Sequence, residues 1–251
     1  MRFSETIKNT DPDLVISRRH EEWVSANDHP EYSAKALAFA AEQLAGKDRV
    51  REGTISASSL GECKRYQQFV FLGFPKLPPD AKNAAKMHNG SFMHLRWQME
   101  GLTEGWLQHA EVPVHSDAYG LMGTMDGINY NGSILELKSI NVNGFSRVGA
   151  FGPLIPHLFQ MATYMLCSGI EQGVFLYENK DTQEYHEIVV QPEDLPITEA
   201  VMAAEDMKKS LEAQKLYEPL GDCMDQKGWK YNSCPFRDRC LWVYDWDEVA
   251  K

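Results

Sequence analysis

The chain has 251 residues, 43% of them hydrophobic and 11% aromatic, which is enough for one sizeable core and a small appended subdomain. No apolar run approaches the length of a membrane span, and the opening MRFSETIKNTDPD lacks the pattern of a signal peptide, so a soluble, intracellular protein is expected. A net charge of -11 speaks against broad nucleic-acid binding through surface cations, but it does not bear on a local groove.

Residues 1 to about 50 read as mostly helical, with PEYSAKALAFAAEQLAG the clearest helix. In ISASSLGECKRYQQFVFLGF, Ser59 followed by Glu62 matches a capping box, so a helix is predicted to start there and to be broken by KLPP. NAAKMHNGSFMHLRWQMEGLTEGWL carries a long amphipathic helical pattern despite Gly90 and Gly101. Strand character begins at AEVPVHS, runs through YGLMGTMDGINY, turns at Asn131-Gly132 and returns as SILELKSI. GFSRVGAFGP reads as a Gly-rich loop. LIPHLFQMATYMLCSG reads as a helix with Pro156 in its first turn. GVFLYENK and QEYHEIVVQ are two further strands, and PITEAVMAAEDMKKSLEAQ is another helix. The order of helices and strands predicts an α/β fold with a central mixed β-sheet flanked by helices. The basic groups Arg18, Arg19 and His20, Lys64 and Arg65, and Lys82, Lys86, His88 and Arg96 each read most simply as solvated helix faces.

Five cysteines in such a chain are poor evidence for disulfides, and an odd count with one tight spacing suggests ligands plus a bystander. Cys63, Cys223, Cys234 and Cys240 stand in polar or loop-like contexts, whereas Cys167 in FQMATYMLCSG reads as a core thiol. The tail GDCMDQKGWKYNSCPFRDRCLW has too little apolar content to fold without a staple.

The chemistry concentrates in GTMDGINYNGSILELKS, where one hairpin brings Asp126 toward Glu136 and Lys138. Residues two apart on a strand share a face, so Leu135 and Leu137 should enter the core and Glu136 and Lys138 point away from it. Each residue alone has a plain structural alternative, a turn aspartate or a surface Glu/Lys pair; the conjunction is what points to a site. Magnesium and manganese take hard oxygen ligands, which Asp126, Glu136 and the Leu137 carbonyl supply. Lys138 is the point charge beside an attacking water or developing negative charge. His94 in GSFMH lies on a helix, with Gly90 one turn earlier for close approach, and an imidazole suits manganese better than magnesium. His157, Gln160 and Tyr164 share one face of a mostly apolar helix.

The ordered segments GSFMH, GTMDG, ELKS and QMATY resemble the RecB-type branch of the PD-(D/E)XK nuclease superfamily over roughly residues 55–190. Met125 stands where the superfamily's name has proline. The resemblance implies a restriction-endonuclease-like core in which His94, Asp126, Glu136 and the Leu137 carbonyl bind Mn2+ or Mg2+. It further implies that Lys138 is catalytic, with Asp126, Glu136 and Gln160, and that Gln160, Tyr164 and Arg65 contact DNA. Cys63 with the C-x5-C pair Cys234 and Cys240 resembles the iron–sulfur members, which include the CRISPR-associated Cas-four family, its phage relatives and the AddB nuclease domain. That likeness implies a [4Fe–4S] cluster stapling residues 216–251 onto Cys63, with Cys223 as fourth ligand and zinc as the alternative metal. The usual tail spacing places a cysteine where Tyr231 stands, so Cys223 must be brought in by a loop.

The expected organisation is an N-terminal helical region (1–55), a nuclease core (56–215) and a cysteine-rich segment (216–251). The expected activity is exonuclease action on single-stranded DNA or DNA ends, 5′ to 3′, in the cytoplasm of a bacterial or phage-infected cell. A recombinase, helicase or adaptation-complex partner is expected beside it. A DNA-end-binding adaptor and a restriction-type endonuclease are the alternatives.

Overall fold

The computed structural model describes residues 16–26, 31–46 and 53–249. The segment MRFSETIKNTDPD and residues 27–30 and 47–52 of the predicted N-terminal helical region lie outside the described residues. Within that region are helices α1 (Ile16–Ala26) and α2 (Ala34–Leu44), the latter capped by the Ser33 hydroxyl. Strand β1 (Ile55–Ser56) and a short 3-10 turn (Ala57–Ser59) lead to α3 (Lys64–Phe71), α4 (Ala81–Glu104), β2 (Leu107–Ser116), β3 (Leu121–Asn129) and β4 (Ile134–Ile140). Then follow α5 (Val142–Phe151), α6 (Ile155–Ser168), β5 (Gly173–Asn179), β6 (Tyr185–Val190), α7 (Ile197–Glu212), α8 (Gly228–Ser233) and α9 (Arg237–Cys240). Among the described residues no helix is long and apolar enough to cross a membrane.

The sheet is mixed. β2 and β4 pair antiparallel with β3, β1 pairs parallel with β3, β4 pairs parallel with β5, and β6 closes antiparallel on β5. Period-two alternation splits its residues between two layers of helix. Leu135, Leu137, Val174 and Leu176 pack against Trp97 and Met93 of α4. Ile134, Phe175 and Tyr177 pack against Met161 and Met165 of α6 and Ala200 and Ala204 of α7. Glu136 and Lys138 therefore do not leave the protein as expected; they continue the α6-facing row of Ile134, and Glu136 is only 2% exposed.

Three local expectations are corrected. Ser59 caps no helix, since its hydroxyl donates to the Ser56 carbonyl and α3 begins only after Cys63. Helix α3 also ends at Phe71, where Gly73 takes φ 66°, before the KLPP segment is reached. GFSRVGAFGP is not a loop: Asn141 caps α5 by accepting from the Gly144 N–H at 2.9 Å, and Phe145 and Val148 bury one helix face.

The tail packs by its own means. Phe236 enters an aromatic nest of Tyr66, Phe69 and Phe74, with Val243 and Val249 buried beside it. Arg65 holds it from the other side, donating to the carbonyls of Tyr217, Cys240 and Val243.

Candidate active site

Strand β2 covers one edge of β3 along its whole length. The other edge is shared, with β4 pairing at Gly127 and Ile128 and β1 pairing at Leu121 and Met122. Between these pairings β3 and β4 part, and Asp126, Glu136 and Lys138 stand in the opening. Side chains replace the missing ladder there. Asp126 Oδ2 accepts from the Leu137 N–H at 2.7 Å. A strand residue presents its N–H and C=O to the same side, so the Leu137 carbonyl faces the opening too.

Helix α4 covers the opening with His94, whose Nδ1 lies 3.2 Å from Asp126 Oδ1. Lys138 Nζ donates to Glu136 Oε1 at 2.6 Å and to Gln160 Oε1 at 2.8 Å. Gln160 Nε2 donates to the Tyr164 hydroxyl at 2.8 Å, which donates in turn to the Thr124 carbonyl at 2.7 Å. The chain of contacts thus runs from β4 through α6 back to β3. Gly123 makes it possible, since a Cβ there would meet the Tyr164 ring at 2.7 Å. Gly90 has no such role; a Cβ there would meet open space, so the expected close approach is absent. These groups line one cavity of about 800 Å³ with Gln98, Glu111 and the exposed Phe92 at its wall.

Burial dominates the electrostatics. It pushes Glu136 up to about 7, reinforced by the charge on Asp126 and only partly offset by Lys138. For Asp126 burial pushes upward as well, but His94, Lys138 and the Leu137 N–H outweigh it and hold the carboxyl below its ordinary range. For His94 burial pulls downward, and Asp126 and Glu136 outweigh it to raise the imidazole. His157 joins a different contact, with Nδ1 2.8 Å from the Tyr177 hydroxyl; burial, then Lys138, lowers it to about 3.

Of the residues expected from sequence, His94, Asp126, Glu136, Leu137, Lys138, Gln160 and Tyr164 come together. Arg65 does not: it is 3% exposed and its guanidinium is bound to tail carbonyls, so it is not available to a DNA phosphate. Arg96 also turns inward, to Glu178, which accepts from Trp97 Nε1 as well. Gln98 and Glu111 were missed. Gln98 lies four residues after His94 and so on the same helix face, a signal the sequence did carry.

Cys63, Cys223, Cys234 and Cys240 are all free and partly buried. Burial raises Cys223, with Cys63 adding to it; burial also raises Cys234, against the Phe236 backbone N–H and with Cys63 and Cys223 adding to it. Burial takes Cys240 to about 11 against the opposing effect of Arg65. Cys167 stands apart against the α6 core, raised to about 11 by burial alone. Among the described residues no three His, Cys, Asp or Glu side chains stand in a metal-ligating array. Near β3, Asp126 and His94 face each other and Glu136 Oε1 faces Lys138.

The mixed sheet between two layers of helix is a fold shared with solved structures. The alkaline exonuclease LHK-Exo from Laribacter hongkongensis matches with a TM-score of 0.53 at 18% identity, over 65% of this chain and 90% of that one. Its complex with dAMP gives 0.54 at 19% identity over the same shares. A protein named SSO0001 matches with 0.52 at 21% identity, over 82% of this chain and 94% of that one. No family model and no curated protein matches the chain.

Proposed function

We propose that this protein is a divalent-metal-dependent DNA nuclease, and more narrowly an exonuclease acting on single-stranded DNA or DNA ends. One observation carries the reading: Glu136 Oε2 is buried without a hydrogen-bond partner, in the opening it shares with Asp126, His94 and the Leu137 carbonyl. A buried carboxylate oxygen left unpaired is costly, and a cation would satisfy it. The hard oxygens fit Mg2+ or Mn2+ and the imidazole favours Mn2+. When bound, such an ion supplies Lewis acidity toward a phosphoryl oxygen and lowers the pKa of its water. Lys138 supplies positive charge at the point where a phosphorane-like charge or an attacking hydroxide develops, and Gln160 and Tyr164 fix its position. The name of LHK-Exo and its complex with dAMP support DNA as the substrate class.

The test uses labelled linear and circular single-stranded DNA with Mn2+. Lys138→Ala and Asp126→Asn should each lower cleavage about a hundredfold or more while the circular dichroism spectrum is unchanged. Wild-type cleavage by both variants would refute the site. Cutting of the circular substrate would reassign the protein as an endonuclease, and binding without turnover as an end-binding adaptor.

The second centre belongs to the same reading. Cys63, just before α3, and the three tail cysteines are free thiols of a kind that fits thiolate ligation, and their irregular spacing favours [4Fe–4S] over a zinc site built of two short pairs. Anaerobically purified protein should be brown with a broad visible band. Colourless protein holding stoichiometric zinc would overturn the cluster and leave the nuclease site untouched. The 5′ to 3′ polarity, and a recombinase, helicase or adaptation-complex partner, follow from the motif resemblance.

A further inference from the structure

Glu111 lies within β2, yet its backbone takes φ 53°. A left-handed conformation is unfavourable for a residue with a side chain and persists where the surroundings impose it. Its neighbours Ala110 and Val112 pair with Gly127 and Met125, which places Glu111 across from Asp126. The Gln98 amide binds both strands: Nε2 donates to Glu111 Oε1 at 3.1 Å and to the Asp126 carbonyl at 2.8 Å. Gln98 is itself 2% exposed and sits one turn beyond His94 on α4. Glu111 lines the same cavity as Asp126 and Glu136, and its charge reaches the Tyr164 hydroxyl. Glu136 lines the same cavity, and its Oε2 is buried there with no hydrogen-bond partner.

The geometry points to Glu111 as a third carboxylate of the metal centre, facing the divalent cation from the β2 side and drawing it into the cavity between Asp126 and Glu136. This rests on the nuclease reading of the same site. Gln98 is its positioning residue. The place of Glu111 across from Asp126 puts its carboxylate on the same face of the sheet as the Asp126 carboxylate.

The experiment is calorimetric titration of the full chain with Mn2+ alone, beside thermal melting in EDTA. Glu111→Gln preserves the oxygen that accepts from Gln98, so its metal-free melting temperature should match wild type while Mn2+ affinity falls ten- to hundredfold, roughly the effect of removing a supporting group at a metal site. Glu111→Gly relieves the left-handed backbone and guards against a folding artefact; it should lose the same affinity without losing stability. Affinity within twofold of wild type in both variants, with Asp126→Asn having lost Mn2+, would overturn the role of Glu111 and leave the nuclease site standing. Wild-type affinity in Asp126→Asn, or no uptake by wild type, would overturn the metal centre as a whole.

Discussion

Lys138 Nζ is held between Glu136 and Gln160, so its charge is directed and its motion restricted before any substrate arrives. Tyr164 sits one step behind it, and Tyr164→Phe should leave the fold intact while lowering turnover about tenfold, read as a fall in kcat with KM unchanged. Glu136 gives a pH signature in metal-free protein. Between the ordinary glutamate value of 4.5 and about 7 the folded chain holds a proton that the unfolded chain releases. Stability contributed there is fully present below 4.5 and is lost as pH rises to about 7, by on the order of 3 kcal/mol. Melting in EDTA from pH 5 to 8 should show this decline in wild type and a flatter profile in Glu136→Gln; parallel profiles would reject it. At this scale Asp126, Glu136 and Lys138 were legible in the sequence through their spacing along one hairpin, and His94 only as part of the GSFMH motif on its helix. Glu111 was not, since its place depends on a left-handed backbone angle and on an amide from a distant helix.

Helix α5 illustrates what element-level reading misses. Its glycines suggest a loop, yet one side-chain cap and two buried apolar residues suffice for a helix. Asn141→Ala should lower stability by about 1 kcal/mol, measured by denaturant titration, with the slope unchanged. The other large elements follow their hydrophobic periods, and the 16-residue α7 and 24-residue α4 were both legible for that reason. The start of α3 was not, because Ser59 and Glu62 have the right spacing for a capping box while the backbone at Ala57–Ser59 is a 3-10 turn committed to β1.

For the molecule as a whole, local pattern indicates a mixed sheet with helices on both faces, but not its order. The parallel pairings of β1 with β3 and of β4 with β5 join segments far apart in sequence, and no turn signal records them. The tail was expected to need a staple for want of apolar content. Phe236 and the Arg65 contacts give it one independent of any metal. Phe236→Ala should cost about 3 kcal/mol and open the segment beyond residue 216 to limited proteolysis, even in protein that retains its cysteines. An unchanged cleavage pattern would show that the thiols alone hold it.

The parting of β3 from β4 has an evolutionary side. The Leu137 N–H and the Thr124 carbonyl, left without strand partners there, are satisfied by Asp126 and by Tyr164. The same side chains that equip the opening for chemistry therefore also repair the sheet. These positions would not be free to drift even in a relative without activity, since replacing Asp126 by an apolar residue leaves a buried amide unanswered, at about 1–3 kcal/mol. On the proposed nuclease reading, persistence of this aspartate in a relative would thus be weak testimony of activity there, whereas persistence of Lys138, on which no backbone group relies, would be strong.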